Sequence, residues 1–277
     1  MIKHNEHMAQ YCTIKMGGHV KTLFEPESIE ELKSFLPKSN DQIIFLGLGS
    51  NVLFREGIFQ GTVIRLTKLK NVNVISKNRI FAEAGASLAK ISRTALKNNF
   101  SGAEFFSGIP GTLGGGLAMN AGAFGGETWD LVEEILTIDL NGVTHKRDPK
   151  DFSIGYRSVR ALNPNEFFIG ATLLINKKNN NTIKNLLEKR NSSQPIGEAS
   201  CGSVFINPEN MYAAELIEQS GLKDFCIGDV CVSNIHANYI INKGNGSPSD
   251  AEDLIKHIKE TILKNTGIEL QTEVKIL

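Results

Sequence analysis

The sequence predicts an α+β fold with mixed sheets, and three observations carry that prediction. Short runs rich in β-branched and aromatic residues, at 43–46, 79–83 and 167–174, have the length and composition of strands. Apolar residues recur with helical spacing at 29–36, 88–96 and 254–262. The order of the two kinds lacks the strict βαβ alternation of a doubly wound nucleotide fold.

The elements follow along 277 residues, a length that accommodates two or three modest units. Ser28 and Glu31 have capping-box spacing, so that hydroxyl and carboxylate satisfy free amides at a helix start. Ile29, Leu32, Phe35 and Leu36 make one face of that helix, and Pro37 stands where it should stop. A buried strand at 43–46 runs into Gly47-Leu48-Gly49-Ser50-Asn51, and Val63, Ile64 and Leu66 suggest the next. A strand at 79–83 precedes an amphipathic helix over 87–97, then a glycine-rich stretch over 107–126. A strand at 135–140 turns at Asn141-Gly142, the strongest two-residue hairpin signal. Residues 177–182 are a polar break, 183–190 are helical, and 191–199, with Pro195 and Gly197, read as a linker. Beyond lie a strand over 201–205 and a helix over 213–219 ending at Gly221. A second capping box at Ser249 and Glu252 opens a last helix with Leu254, Ile255, Ile258 and Ile262 inward. In 268–277 strict alternation puts Ile268, Leu270, Val274 and Ile276 on one face. Glu269, Gln271, Glu273 and Lys275 share the other. Boundaries near 70 and 190 divide the chain into 1–70, 71–190 and 191–277.

Composition narrows the function. Lysine plus arginine and aspartate plus glutamate number 30 each, so no sequence-wide basic field exists to hold nucleic acid or an anionic membrane. No run approaches the roughly 20 apolar residues that span a bilayer. The first ten residues lack a signal-peptide core, so a cytoplasmic location is expected. Cys12, Cys201, Cys226 and Cys231 form no CxxC pair and read as free thiols. The six histidines form no HExxH pair, so no metal is expected. No obligate protein partner is inferred.

The two glycine segments carry most of the chemistry. In Leu46-Gly47-Leu48-Gly49-Ser50-Asn51 a strand stops and the backbone turns, bringing amides and polar side chains within reach of an anion. A strand-to-strand turn would look the same. No third glycine opens a helix and no GK[ST] follows, so neither a dinucleotide fingerprint nor a P-loop is present. The second segment, 106–122, interleaves six glycines of 108–122 with apolar side chains, which suits close packing on a flat ligand better than a flexible linker.

LGLGSNVL (46–53), FFSGIPGTLGGGLAMNAGAFGGE (105–127), GYRS (155–158), CGSVFINP (201–208) and GIELQTEVKIL (267–277) occur in one order. Together they resemble the UDP-N-acetylenolpyruvoylglucosamine reductases, over nearly the whole chain from Thr13. The resemblance implies a vanillyl-alcohol-oxidase/PCMH-type FAD-binding fold of two subdomains, with a smaller α+β substrate-binding domain. The short interval between Gly170 and Asn191 matches the compact subgroup. FAD would be lined by Gly47, Gly49, Ser50, Asn51, Gly108, Gly111, Thr112, Gly115, Ala121 and Gly122. No histidine or cysteine occurs between Ile43 and Phe59, so a non-covalent flavin is expected.

The reaction so implied is NADPH-dependent reduction of the enolpyruvyl group of a UDP-sugar, with hydride delivered by flavin N5. Arg157 would grip the substrate carboxylate through a bidentate fork. Ser203 would donate the proton, and Glu273 would hydrogen-bond the enol or a protonating water. Alternation alone does not separate Glu273 from Glu269; the resemblance does. Tyr156, Arg190, Asn207 and His236 are weaker candidates for substrate contact. Relatives often carry lysine before the Gln-Pro where this chain has Arg190-Asn191-Ser192-Ser193, and at Ile235, which weakens charge-based roles at both places. Cys201 is assigned to packing.

Overall fold

A computed structural model describes residues 1–161, 163, 165–176 and 182–277. All of the expected polar break except Thr182 falls outside the described residues. The chain forms two compact units: Met1–Lys3, Thr22–Leu48 and Gly61–Arg190 make the first, and His4–Lys21, Gly49–Gln60 and Asn191–Leu277 the second.

The first unit is built on a five-stranded antiparallel sheet. Its order is Thr144–Arg147, Val132–Asp139, Glu166–Leu174, Arg79–Glu83, Val72–Ser76. The hairpin turns at Asn141-Gly142 as expected, but through a three-residue loop, 140–142, rather than a two-residue one. The Asp139 amide and carbonyl pair with Val143 and Gly142, only Gly142 takes a positive φ, +77°, and Asp139 Oδ1 accepts the amides of Asn141 and Val143. Two apolar clusters flank these strands. One gathers Ile80, Ala82, Ile135, Ala171 and Leu173 with Phe105, Phe106, Trp129 and helix α2 (Leu88–Lys97). The other gathers Ile138 and Ile169 with Ile64, Leu66 and helix α1 (Ile29–Phe35). Ser28 caps α1 by accepting the Glu31 amide, whereas the Glu31 carboxylate takes the amide of Glu27. Pro37 lies in a short 3-10 turn that follows, so the helix ends where expected.

Within the glycine-rich stretch lies a helix that the periodicity did not announce, α3 (Leu113–Met119). Three consecutive glycines each cost a helix about 1 kcal/mol relative to alanine. Packing overrides them, because Leu113 and Leu117 are fully buried in the first cluster. Thr112 caps α3 by accepting the Gly115 amide, and Asn120 ends it with a left-handed φ of +48°. Helix α4 (Ile183–Ser193) runs three residues past its expected end at Arg190 and shortens the linker accordingly.

The second unit holds a four-stranded antiparallel sheet ordered Ser200–Ser203, Tyr239–Asn242, Val230–Val232, Cys226–Ile227. Helix α5 (Ala213–Gln219) is followed by Gly221 at φ +72°, the expected stop. Helix α6 (Pro248–Thr266) buries Leu254, Ile255, Ile258 and Ile262. Its capping box is Ser247 with Asp250, two residues before the expected pair. Pro248 explains the shift: a ring-fixed φ without an N–H suits the first helical position and leaves the preceding serine as the cap. The tail alternates as expected, with Leu270 and Val274 buried. It is not one continuous strand: Thr272 bridges Phe205, and Lys275–Ile276 runs parallel to Val52–Leu53.

The cysteine expectation is corrected. Cys226 and Cys231 form a disulfide, facing each other across the hairpin. A tight turn at 228–229 brings them opposite, a pairing that a search for CxxC spacing does not test. Cys12 and Cys201 are buried thiols. Among the described residues no helix is long and apolar enough to cross a membrane, and no group of three or more His, Cys, Asp or Glu side chains is disposed to hold a metal.

Candidate active site

In the first unit the two glycine segments meet. A Cβ built on Gly47 would stand 2.3 Å from Thr112 Oγ1, so the end of the 43–46 strand rests directly on the cap of α3. Thr112 is buried, and its hydroxyl accepts the Gly115 amide. Gly115 itself is exposed, and an added Cβ would meet no protein atom nearer than Thr112 Oγ1 at 3.8 Å. Its missing side chain answers no packing need of the protein, and leaves a bare backbone surface beside Gly47. Such a surface fits the close approach of a flat dinucleotide, which is the demand FAD makes. Gly111 accepts the Leu88 amide, and Ala121 accepts the amide and hydroxyl of Thr128, so these backbones are held from behind. Gly108 lies against Phe124 and the Arg190 side chain. Gly122 begins a two-residue strand paired with Gly126–Glu127.

Arg157 sits at the tip of the hairpin formed by Phe152–Gly155 and Ser158–Ala161, in a left-handed conformation with φ +53°. An arginine there stores backbone strain of order 1 kcal/mol, which marks a position held for a reason other than local preference. Its guanidinium donates to the Gly122 carbonyl at 3.0 Å and the Asn120 carbonyl at 3.4 Å, and lies over the exposed Tyr156 ring. Asn120 is 1% exposed and ties this corner together. It donates to the Glu127 carboxylate and the Gly155 carbonyl, and accepts the Trp129 amide.

In the second unit, Gly49 turns at φ +67° with the Tyr11 carbonyl so close that a Cβ would be 2.1 Å away. Only glycine fits there. Thr13 Oγ1 donates to the Ser200 carbonyl at 2.6 Å, and the Thr13 amide to the Gly49 carbonyl, coupling this turn to the strand that carries Ser203. That strand is bulged. Ser200 opposes Ile241 and Ser203 opposes Tyr239, so three steps on one strand match two on the other. Gly202 absorbs the extra residue with φ +75° and re-aims Ser203, which is half-buried.

Glu273 comes to the same segment. Its amide donates to the Val204 carbonyl at 2.8 Å, and its own carbonyl accepts Asn51 Nδ2 at 3.1 Å. Glu269 is exposed, whereas Glu273 is half-buried, which separates two carboxylates that alternation leaves equivalent. Asn51, expected to offer donors to a phosphate, spends one of them on the Glu273 backbone; Ser50 precedes it in the same turn. Asn207 Oδ1 accepts the Ala213 amide at the start of α5. His236 accepts the Asn238 amide on Nδ1 and packs edge-on to Tyr239; burial holds its imidazole below the usual value, with Lys223 adding to the effect. Burial pushes the Cys201 thiol up to about 12, a neutral packing group as expected.

Sequence reasoning missed Thr13 and Asn238. Thr13 opens the resemblance, but nothing near it announces a clamp. Asn238 carried a usable signal, a polar side chain opening the apolar run 239–241.

Two family models match the chain. Residues 20–147 match the family described as FAD binding domain, and residues 194–277 the family described as UDP-N-acetylenolpyruvoylglucosamine reductase, C-terminal domain. The chain is 43% identical to the UDP-N-acetylenolpyruvoylglucosamine reductase of Alkalilimnicola ehrlichii, covering 100% of this chain and 94% of the relative. It is 45% identical to that of Legionella pneumophila strain Corby, covering 99% and 91%. The crystal structure of the Thermus caldophilus enzyme superposes with a TM-score of 0.85 at 26% identity, over 100% of this chain and 98% of that one. The α+β architecture is thus that of the solved reductase, with an FAD binding domain, and the cofactor is FAD. The chain belongs to the UDP-N-acetylenolpyruvoylglucosamine reductases, a family of FAD-dependent oxidoreductases.

Proposed function

We propose that this chain reduces UDP-N-acetylglucosamine enolpyruvate to UDP-N-acetylmuramate at the expense of NADPH, supplying peptidoglycan synthesis in the cytoplasm. The observation that carries the reading is the Val204 carbonyl accepting the Glu273 amide, which makes neighbours of the two residues assigned to the proton. When bound, FAD would supply the redox chemistry, hydride transfer from NADPH to the enolpyruvyl methylene carbon. Gly47, Gly49, Ser50, Asn51, Gly108, Gly111, Thr112, Gly115, Ala121 and Gly122 hold it without a covalent tether.

The protein's own residues manage charge and proton. Arg157 binds the substrate carboxylate and binds it more tightly as negative charge builds towards an enolate, the condition for acceleration. Two backbone carbonyls already fix the guanidinium, so little reorganisation accompanies that gain. Ser203 donates its hydroxyl proton to the carbon beside the carboxylate. Glu273 hydrogen-bonds the enol or a protonating water. Tyr156, Arg190, Asn207 and His236 contact the sugar nucleotide, and residues 1–70, 71–190 and 191–277 act as two flavin-binding subdomains and a substrate domain.

The test is spectroscopic. The purified protein is expected to be yellow, to bleach anaerobically with NADPH, and to regain colour rapidly with the enolpyruvyl sugar nucleotide but slowly in air. A folded, colourless protein that refuses added FAD would overturn the reading.

A further inference from the structure

Asn238 is 3% exposed and stands immediately before the Tyr239–Asn242 strand, all four residues of which are buried. A buried amide is costly unless its polar groups are bonded, and here they are bonded in an informative way. Oδ1 accepts the Phe205 amide at 2.9 Å and Nδ2 donates to the Phe205 carbonyl at 2.8 Å. The backbone carbonyl of Asn238 accepts the Val204 amide at 2.8 Å, and its own amide donates to His236 Nδ1. One side chain therefore offers Phe205 the donor and acceptor that a neighbouring strand would offer.

The chain needs that imitation at this point. The paired ladder ends at Ser203 opposite Tyr239, just after the bulge at Gly202. From the other side, the Val204 carbonyl accepts the Glu273 amide and the Ile206 amide donates to the Gln271 carbonyl at 2.9 Å. Residues 204–206 are thus gripped between Asn238 and 271–273, and any slip there displaces Ser203 and Glu273 relative to each other. We propose that Asn238 is a positioning residue for proton delivery, holding Ser203 in register with Glu273. This rests on the assignment of Ser203 as proton donor made above. Asparagine alone among residues of this size meets both halves of the requirement: aspartate loses the donor, leucine loses both.

A second buried asparagine supplies a control. Asn242, 6% exposed, donates to the Ile14 and Lys15 carbonyls and accepts the amides of Gly244 and Gly246, so none of these side-chain bonds reaches residues 203–206. The experiment uses full-length flavoprotein, reduced anaerobically with NADPH and reoxidised by the enolpyruvyl sugar nucleotide. Asn238→Ala is expected to slow the reoxidation kcat roughly tenfold to hundredfold, the cost of displacing a reacting group by about 1 Å. KM for the sugar nucleotide and the rate of flavin reduction should stay within about threefold. Amides of 203–206 should exchange hydrogen faster. Should Asn238→Ala fail to bind FAD, Asn238→Asp, which keeps the bond from the Phe205 amide, takes its place in the same assay. In a Ser203→Ala background the same change should cost less than about twofold, because the group being positioned is gone. Asn242→Asp should lower stability without the kcat signature. Wild-type reoxidation in the Asn238 variants, full additivity with Ser203→Ala, or an equal kcat loss in Asn242→Asp overturns the proposal. A normal rate in Ser203→Ala alone overturns the donor assignment instead, and so is told apart.

Discussion

Ser203 and Arg157 are located by opposite means. Ser203 has one short side-chain rotor, so its hydroxyl is only as well placed as its backbone. That backbone is fixed by a bulge, by the ladder to Tyr239, and by the Val204 and Phe205 bonds one and two residues on. Arg157 occupies a hairpin tip in a left-handed conformation, and its long side chain is located instead at the far end, by carbonyls of Asn120 and Gly122. The difference suits the role proposed for each, proton delivery for Ser203 and charge stabilisation for Arg157. A proton transfer tolerates little displacement, while charge stabilisation falls off gradually with distance. In each unit the demanding coordinate is the one that carries the hydrogen bonds.

Removing the hydroxyl tests the first half of that contrast and should give the largest effect. Ser203→Ala is expected to slow reoxidation by the sugar nucleotide roughly 100-fold to 10,000-fold while NADPH still bleaches the flavin. Stopped-flow absorbance reads both steps, and an unchanged second step would refute the assignment. Arg157→Lys tests the other half. Lysine keeps the charge and the backbone strain but loses the planar fork, so kcat/KM should fall about tenfold to hundredfold. A loss under about threefold would mean that a point charge suffices and that the two carbonyl bonds are incidental.

How far these features could be read beforehand depends on the range of the interactions behind them. Local chemistry was legible: the Ser28 cap, the Asn141-Gly142 turn and the stop at Gly221 are decided within a few residues. Helix α3 was not, because three glycines argue against a helix and the burial of Leu113 and Leu117 that overrides them is a tertiary fact. The α6 cap was displaced because Ser247-Pro248 and Ser249-Asp250 both offer plausible starts, and the proline decides. At the site, the resemblance pointed to Glu273 over Glu269 where periodicity could not. The bond from the Glu273 amide to Val204 joins residues almost seventy apart, which no window along the chain contains. Asn238 offered a local signal, a polar residue opening the apolar run 239–241, but its bonds to Phe205 span 33 residues and lie beyond such a window.

The two units also differ in how they are stapled away from the proposed site. The first holds a nearly buried carboxylate, Glu166, which accepts from Arg147 and Thr137 and whose side chain is 3% exposed. The Arg147 hydrogen bond holds its pKa below the ordinary 4.5, against the opposing pull of burial. A lowered folded value means the stabilisation is complete above the unfolded value and is lost as pH falls through the folded one. Glu166→Gln should therefore cost about 2 kcal/mol near neutral pH, and the gap from wild type should narrow as pH drops below the carboxylate range. Urea midpoints across that range decide it; a constant gap would assign the loss to packing.

The second unit is stapled by Cys226–Cys231, and this should give the smallest effect. The bond closes a loop only five residues in sequence separation, so little chain entropy is removed from the unfolded state. On the loop-entropy estimate the stabilisation is about 2 kcal/mol at most. Cys226 is exposed on the outermost strand of the sheet, with Ser203 in the strand at the opposite edge. Cys226→Ser should thus lower the unfolding midpoint slightly and leave both half-reactions at wild-type rates. A reductant should lower the wild-type midpoint by the same amount and leave the variant's unchanged. If the variant slowed reoxidation as Ser203→Ala does, the position of Ser203 would depend on the whole sheet, and the contrast with Arg157 would lose its local basis.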